Sequence, residues 1–168
     1  IGQGRDKVFI SDDKLCGGPN ALSVDKGATF VAHAANLYFE GLSFVNSYGV
    51  EKNDGPQALA LNTENDRIVF NNVGMYSYQD TWITTSKSNY RHYVKNSFIE
   101  GAVDFIYNSG DVYLDNDTIN IVRKSGGYIV APSHQKDVKW GYVFMNNVIT
   151  APGVPSETSV WLGRPWHN

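Results

Sequence analysis

Asp80 and Asp104 are the residues of this chain best suited to chemistry, because each stands at the same place in its own copy of an internal repeat. The unit reads apolar, any, Asn or Gly, two of any kind, apolar. It occurs at Phe39, Gly41 and Phe44; at Phe70, Asn72 and Met75; at Val94, Asn96 and Ile99; at Leu114, Asn116 and Ile119; and at Phe144, Asn146 and Ile149. Asp80 follows Phe70 by the offset that separates Asp104 from Val94. If each copy is one rung of a solenoid, the two carboxylates come from neighbouring strands about 4.8 Å apart. Carboxylates that close cannot both ionise freely, so one is expected to keep its proton and the other to need a cation. Such a pair offers an acid beside a base.

The elements that would position the pair follow from the repeat. Its copies start 31, 24, 20 and 30 residues apart, the spacing of units that bury an apolar face only by stacking on their neighbours, with loops of unequal length between them. Alternating runs rich in aromatic and β-branched residues, at 36–45, 67–73, 111–122 and 142–149, read as strands. No stretch sustains a 3.6-residue apolar period, and Gly, Asn and Ser recur too closely to admit crossover helices. The fold class expected is all-β, a parallel β-helix. The series Asn72, Asn96, Asn116 and Asn146 has two readings: a ladder of stacked amides, or residues that merely supply turn conformations. Neither makes them catalytic.

Composition excludes several alternatives. With 168 residues, 42% hydrophobic and 18% charged, the chain is expected to form one domain, 1–168, able to bury a core. A net charge of −3 with scattered basic residues argues against nucleic acid as a partner. No apolar stretch approaches membrane-spanning length, which argues against a membrane partner. Cys16 is alone, so no internal disulfide is possible. The sequence shows no targeting segment, although it opens at Ile1 rather than Met.

Asp80 could be a turn residue accepting backbone N–H groups beside Thr81. That reading is harder for Asp104, whose neighbours Val103, Phe105, Ile106 and Tyr107 would make an unpaired carboxylate costly. Around these residues the chain resembles the pectin methylesterases, or pectinesterases. The resemblance runs through four ordered segments: Gly55-Pro56-Gln57-Ala58-Leu59-Ala60-Leu61; Tyr78-Gln79-Asp80-Thr81; Ile99-Glu100-Gly101-Ala102-Val103-Asp104-Phe105-Ile106; and Leu162-Gly163-Arg164-Pro165-Trp166. It implies a right-handed parallel β-helix that removes methyl esters from the galacturonate units of homogalacturonan, releasing methanol. By the same resemblance Asp104 is the nucleophile and Asp80 the general acid and later base. Gln57 and Gln79 stabilise the oxyanion, and Arg164 holds the nucleophile. Trp166, Tyr107 and Trp161 match aromatics that the resemblance implies pack on sugar rings, and Val103 is expected to contact sugar because it flanks Asp104. Ile83 stands where the family often has Tyr, and Trp82 either compensates or belongs to the core.

The chemistry of these roles is coherent. An ester carbonyl attacked by a carboxylate gains charge on oxygen, which neutral amides can stabilise, while a guanidinium keeps the attacking carboxylate charged. No metal or cofactor is required. The resemblance further implies a secreted, extracellular or cell-wall location, a monomer, and a proteinaceous pectinesterase inhibitor as a partner. The family's Gly, any, Tyr, any, Glu segment is not found and the chain stops soon after Trp166, so a portion of the β-helix lacking terminal segments is expected. His33, His92, His134 and His167 lack metal spacing and are expected to be solvated or satisfied. Ser47 and Ser133 lack a nucleophile-elbow context. Asn116 opens a glycosylation sequon but is also a repeat position. Two other classes stay open: a glycosidase using the same carboxylates, and a catalytically silent polysaccharide-binding solenoid.

Overall fold

The computed structural model describes residues 1–17, 22–49 and 55–166. One sheet holds, in spatial order, β1 (Phe9–Asp12), β4 (Ser43–Asn46), β7 (Gly74–Tyr76), β10 (Phe98–Gly101), β13 (Thr118–Ile121) and β16 (Val148–Thr150). A second holds β2 (Phe30–Ala32), β5 (Leu61–Thr63), β8 (Trp82–Ile83), β11 (Ile106–Asn108), β14 (Gly127–Pro132) and β17 (Val160–Gly163). The third holds β3 (Leu37–Glu40), β6 (Ile68–Asn71), β9 (Arg91–Lys95), β12 (Asp111–Asp115) and β15 (Tyr142–Met145). All pairings between these strands are parallel. Each coil visits the third, first and second sheets in turn and then rises one level, which is a parallel β-helix.

The repeat seen in the sequence is the register of the coils. Phe39, Phe70, Val94, Leu114 and Phe144 are in-register neighbours across the third sheet. Phe44, Met75, Ile99, Ile119 and Ile149 are neighbours across the first. Phe44, Phe70, Met75, Val94, Ile99, Leu114 and Ile119 are wholly buried, whereas Ile149, in the last of these coils, is exposed. The rings of Phe39 and Phe70 stack 5.4 Å apart. Burial of this apolar column, worth about 25 cal/mol for each Å² withdrawn from water, holds coil upon coil.

The runs at 36–45, 111–122 and 142–149 differ from expectation: each is two strands meeting at a corner. The corner residues Gly41, Asn72, Asn96, Asn116 and Asn146 have φ of 64, 52, 52, 59 and 57°. This left-handed conformation redirects the chain, and Gly and Asn adopt it at least cost. The turn reading of the asparagines therefore holds throughout, whereas the amide ladder is partial. Asn116 donates to Asn96 at 2.7 Å, but Asn96 donates to Asn71 at 3.3 Å.

Trp82 is core: it is wholly buried and its indole N–H donates to Thr63 Oγ1 at 3.1 Å. His92 corrects the expectation of a solvated or satisfied ring. It is buried edge-on against Trp82, its nitrogens near the Asn65 backbone without a well-formed hydrogen bond, and burial pushes its pKa down to about 4. His33 pairs with Glu64 at 2.5 Å on the surface, and His134 packs edge-on against Tyr142. His167 lies outside the described residues.

Candidate active site

The carboxylates sit where the chain passes from the first sheet to the second. Residues 77–81 join β7 to β8 and residues 102–105 join β10 to β11, both short links. Asp80 and Asp104 occupy the left-handed region there, at φ 61 and 53°. Extended backbone would send Gln79 and Asp80 to opposite faces. The left-handed turn breaks that alternation, and both side chains line one recess. Backbone bridges join Gln57 to Gln79 and Gln79 to Val103. The Asp80 N–H donates to the Val103 carbonyl at 3.2 Å, and the Asp104 N–H to the Tyr128 carbonyl at 2.8 Å. The two aspartates are thus one coil apart, as their shared offset predicts.

The recess encloses about 290 Å³ and gathers Gln57, Gln79, Asp80, Asp104 and Arg164, with Tyr107 and Trp166 among its walls. A larger trough of about 910 Å³ lies over the outer face of the third sheet, but Asp111 is the one carboxylate lining it. Only the smaller recess sets an acid beside a base. Among the described residues no group of three His, Cys, Asp or Glu side chains gathers as a metal site.

Environment separates the two carboxylates. Asp104 receives a fork of hydrogen bonds from Arg164, with Nε 3.0 Å from Oδ1 and Nη2 2.6 Å from Oδ2, a geometry that suits a charged carboxylate. Asp80 is buried. Withdrawal from water, then the charge of Asp104, push its pKa up to about 7 against the opposing pull of Arg164 and hydrogen bonds from Gln79 and Gln57. Burial is thus the larger cause, ahead of the neighbouring charge on which the sequence argument rested. The apolar neighbours of Asp104 do not surround it, because Phe105 and Ile106 turn into the core, and Asp104 keeps a side-chain exposure of 13%.

The match to known proteins is decided by a family profile: the pectinesterase profile spans residues 1–168. This chain belongs to the pectinesterase family. It is 34% identical over 150 residues to a probable pectinesterase A of Aspergillus flavus, covering 88% of this chain and 44% of that protein. Among solved structures it resembles the pectin methylesterase from Yersinia enterocolitica, with a TM-score of 0.84 and 30% identity over 99% of this chain and 58% of the other. It also resembles a pectin methylesterase solved in complex with a hexasaccharide, at TM-score 0.88 and 26% identity over 99% of this chain and 55% of that one. The chain therefore spans less than half of the curated relative and little more than half of these solved chains.

Of the sugar contacts implied by the pectinesterase resemblance, Tyr107 and Trp166 lie at the recess, edge to face with centroids 6.0 Å apart. Tyr107 is buried and its hydroxyl has no hydrogen-bond partner. Burial, with Asp80 nearby, raises its pKa. Val103 is half-buried and Trp161 is 55% exposed, and both stand outside the recess lining. Trp161 instead stacks on Tyr128, rings 6.4 Å apart. The structure adds Val24 and Ala131 to the recess walls. It also shows that Gly17, at φ 69°, leaves room for the Gln57 amide oxygen where any side chain would collide with it. These residues gave no signal in the sequence because they reach the site from other coils.

Proposed function

We propose that this chain carries the active site of a pectin methylesterase, hydrolysing methyl esters of galacturonate units in homogalacturonan to methanol and free carboxylate. The observation that carries the reading is the division of labour between two adjacent carboxyls, Asp104 forked by Arg164 and Asp80 buried with a pKa near 7. Asp104 attacks the ester carbonyl carbon, and the charge that develops on oxygen is met by the amides of Gln57 and Gln79, which already converge on Asp80. As the tetrahedral species collapses, the bond to methoxide breaks and Asp80 gives its proton to that oxygen, releasing methanol. The acyl group is left on Asp104 as an anhydride. Asp80, now a carboxylate, takes a proton from water as the water oxygen attacks the acyl carbon. The anhydride opens to the product acid, which gives its remaining proton to solvent and becomes the carboxylate, and to free Asp104, while Asp80 again holds a proton.

Support for a polysaccharide substrate comes from the hexasaccharide held by a protein of the same fold and from Tyr107 and Trp166 at the recess, since aromatic faces with polar edges suit pyranose rings. A wall polysaccharide as substrate makes the enzyme secreted, acting outside the cell. The test is methanol release from methylated homogalacturonan by wild type and Asp104→Asn. Wild type is expected to release methanol and the variant to lose at least about a hundredfold in rate. Equal rates for the two, or new reducing ends without methanol, would overturn the reading.

A further inference from the structure

Arg164 has an unusual distance to cover. It follows β17, yet its partner Asp104 precedes β11, and β14 lies between those strands. Neighbouring strands are about 4.8 Å apart, so the side chains of Arg164 and Asp104 together must span two levels, roughly 9.6 Å, which needs Arg164 extended. A side chain with that many torsions, 48% exposed, has no intrinsic reason to stay extended along one line. Its backbone is tied down by the Arg164 N–H donating to Val130 at 3.0 Å, and this leaves the side-chain torsions free.

The intervening coil supplies the missing restraint. Tyr128, on β14, lies beneath the crossing guanidinium, whose central carbon sits 4.3 Å from the ring centroid. The Tyr128 backbone carbonyl accepts the Asp104 N–H at 2.8 Å, so the residue that carries the ring also fixes the backbone of Asp104. The ring itself is held from the other side. Tyr128 and Trp161 are in-register neighbours of β14 and β17, and their rings stack with an interplanar angle of 19°. Trp161, Tyr128, Arg164 and Asp104 thus form one continuous series of contacts.

We infer that Tyr128 is a positioning residue for the esterase reaction: its ring, braced by Trp161, is the bed on which Arg164 lies extended across one coil to fork Asp104. The inference rests on the pectin methylesterase reading for its effect on rate, but not for the contact itself. It also gives Trp161 a task distinct from binding sugar. A guanidinium over an aromatic face gains more as it is withdrawn from water, and losing such a contact corresponds to about 2- to 30-fold in a rate that depends on the arginine.

The test compares Tyr128→Thr and Tyr128→Phe, each checked for an unchanged melting transition. Methanol release from methylated homogalacturonan should fall about tenfold in kcat for the Thr variant, with KM within about twofold, and stay near wild type for the Phe variant. In an Arg164→Ala background, Tyr128→Thr should cost nothing further, because a residue acting through Arg164 has nothing left to position. Independently of activity, phenylglyoxal should modify Arg164 faster in the Thr variant than in wild type or the Phe variant, measured by peptide mass spectrometry with Arg5 and Arg123 as internal references. Equal arginine reactivity in all three proteins overturns the inference. So does a Phe variant as impaired as Thr, or a Thr defect that persists undiminished without Arg164. A wild type that releases no methanol yet shows the expected order of Arg164 reactivity upholds the contact and sinks the esterase reading instead.

Discussion

At the scale of single residues, the site depends on making two identical side chains chemically different. Arg164 forks Asp104, which keeps partial exposure, while burial favours the proton on Asp80 strongly enough to bring its pKa to about 7. An acid catalyst in that position must be protonated when substrate arrives. The rate kcat/KM should therefore fall as pH rises through about 7, as Asp80 loses its proton. Because withdrawal from water is the largest cause of the shift, opening the wall with Tyr107→Ala should move this limb to lower pH. A profile flat from pH 6 to about 8.5, or a limb moved upward in the variant, would count against Asp80 as the acid. The four family-like segments made Gln57, Gln79, Asp80, Asp104 and Arg164 legible as candidates. What they could not convey was which carboxyl is buried, since Phe105 and Ile106 looked like an apolar enclosure for Asp104 but turn away from it.

At the scale of elements, left-handed residues do two jobs. Those at Asn72, Asn96, Asn116 and Asn146 turn the chain between the third and first sheets, and those at Asp80 and Asp104 turn it between the first and second. The same backbone rule that shapes the solenoid also lets adjacent residues share one face at the site. Asn96 is a clean place to test the rule, being exposed with φ 52°. Asn96→Gly should change stability little, losing the amide contacts but not the conformation. Asn96→Val should cost about 1–3 kcal/mol, because a β-branched side chain is strained there. Urea denaturation of the two variants measures the difference, and equal midpoints would show that the corner imposes no such demand. The alternating runs were readable as strands, but their corners were not located within the runs. Asn in an apolar stretch signals a bend only when its φ is known.

At the scale of the whole molecule, several buried groups hold unusual protonation states at once, and their signs can be added. Asp80, pushed up to about 7, and Asp117, pushed up to about 6 chiefly by burial, keep protons that unfolded carboxyls release above about 4. Glu100, also raised by burial, acts in the same direction. His92, pushed down to about 4, and His134, also lowered by burial, act oppositely, since an unfolded imidazole takes up a proton below about 6.5. Three raised carboxyls against two lowered imidazoles leave the native state holding the larger number of protons between about pH 4.5 and 6. Stability should therefore fall as pH rises through this window and on to about 7, by about 1.4 kcal/mol per pH unit for each net proton. A urea midpoint higher at pH 5 than at pH 7.5 is expected, with a steeper fall in His92→Phe, which removes one of the two opposing groups. A midpoint that climbs between those pH values would refute the sum.

The amino-acid sequence alone determined the repeat, the register of its coils and the set of candidate site residues. Each rests on local identity: apolar residues at a recurring place, Asn or Gly at a fixed position between them, and aspartates at one shared offset. The tertiary structure decided which aspartate is withdrawn from water, that Trp82 lies in the core and Trp161 on the surface, and how Arg164 crosses β14 over Tyr128 to reach Asp104. Burial and reach are properties of residues brought together from different coils. Their magnitudes follow from distances that no stretch of sequence contains.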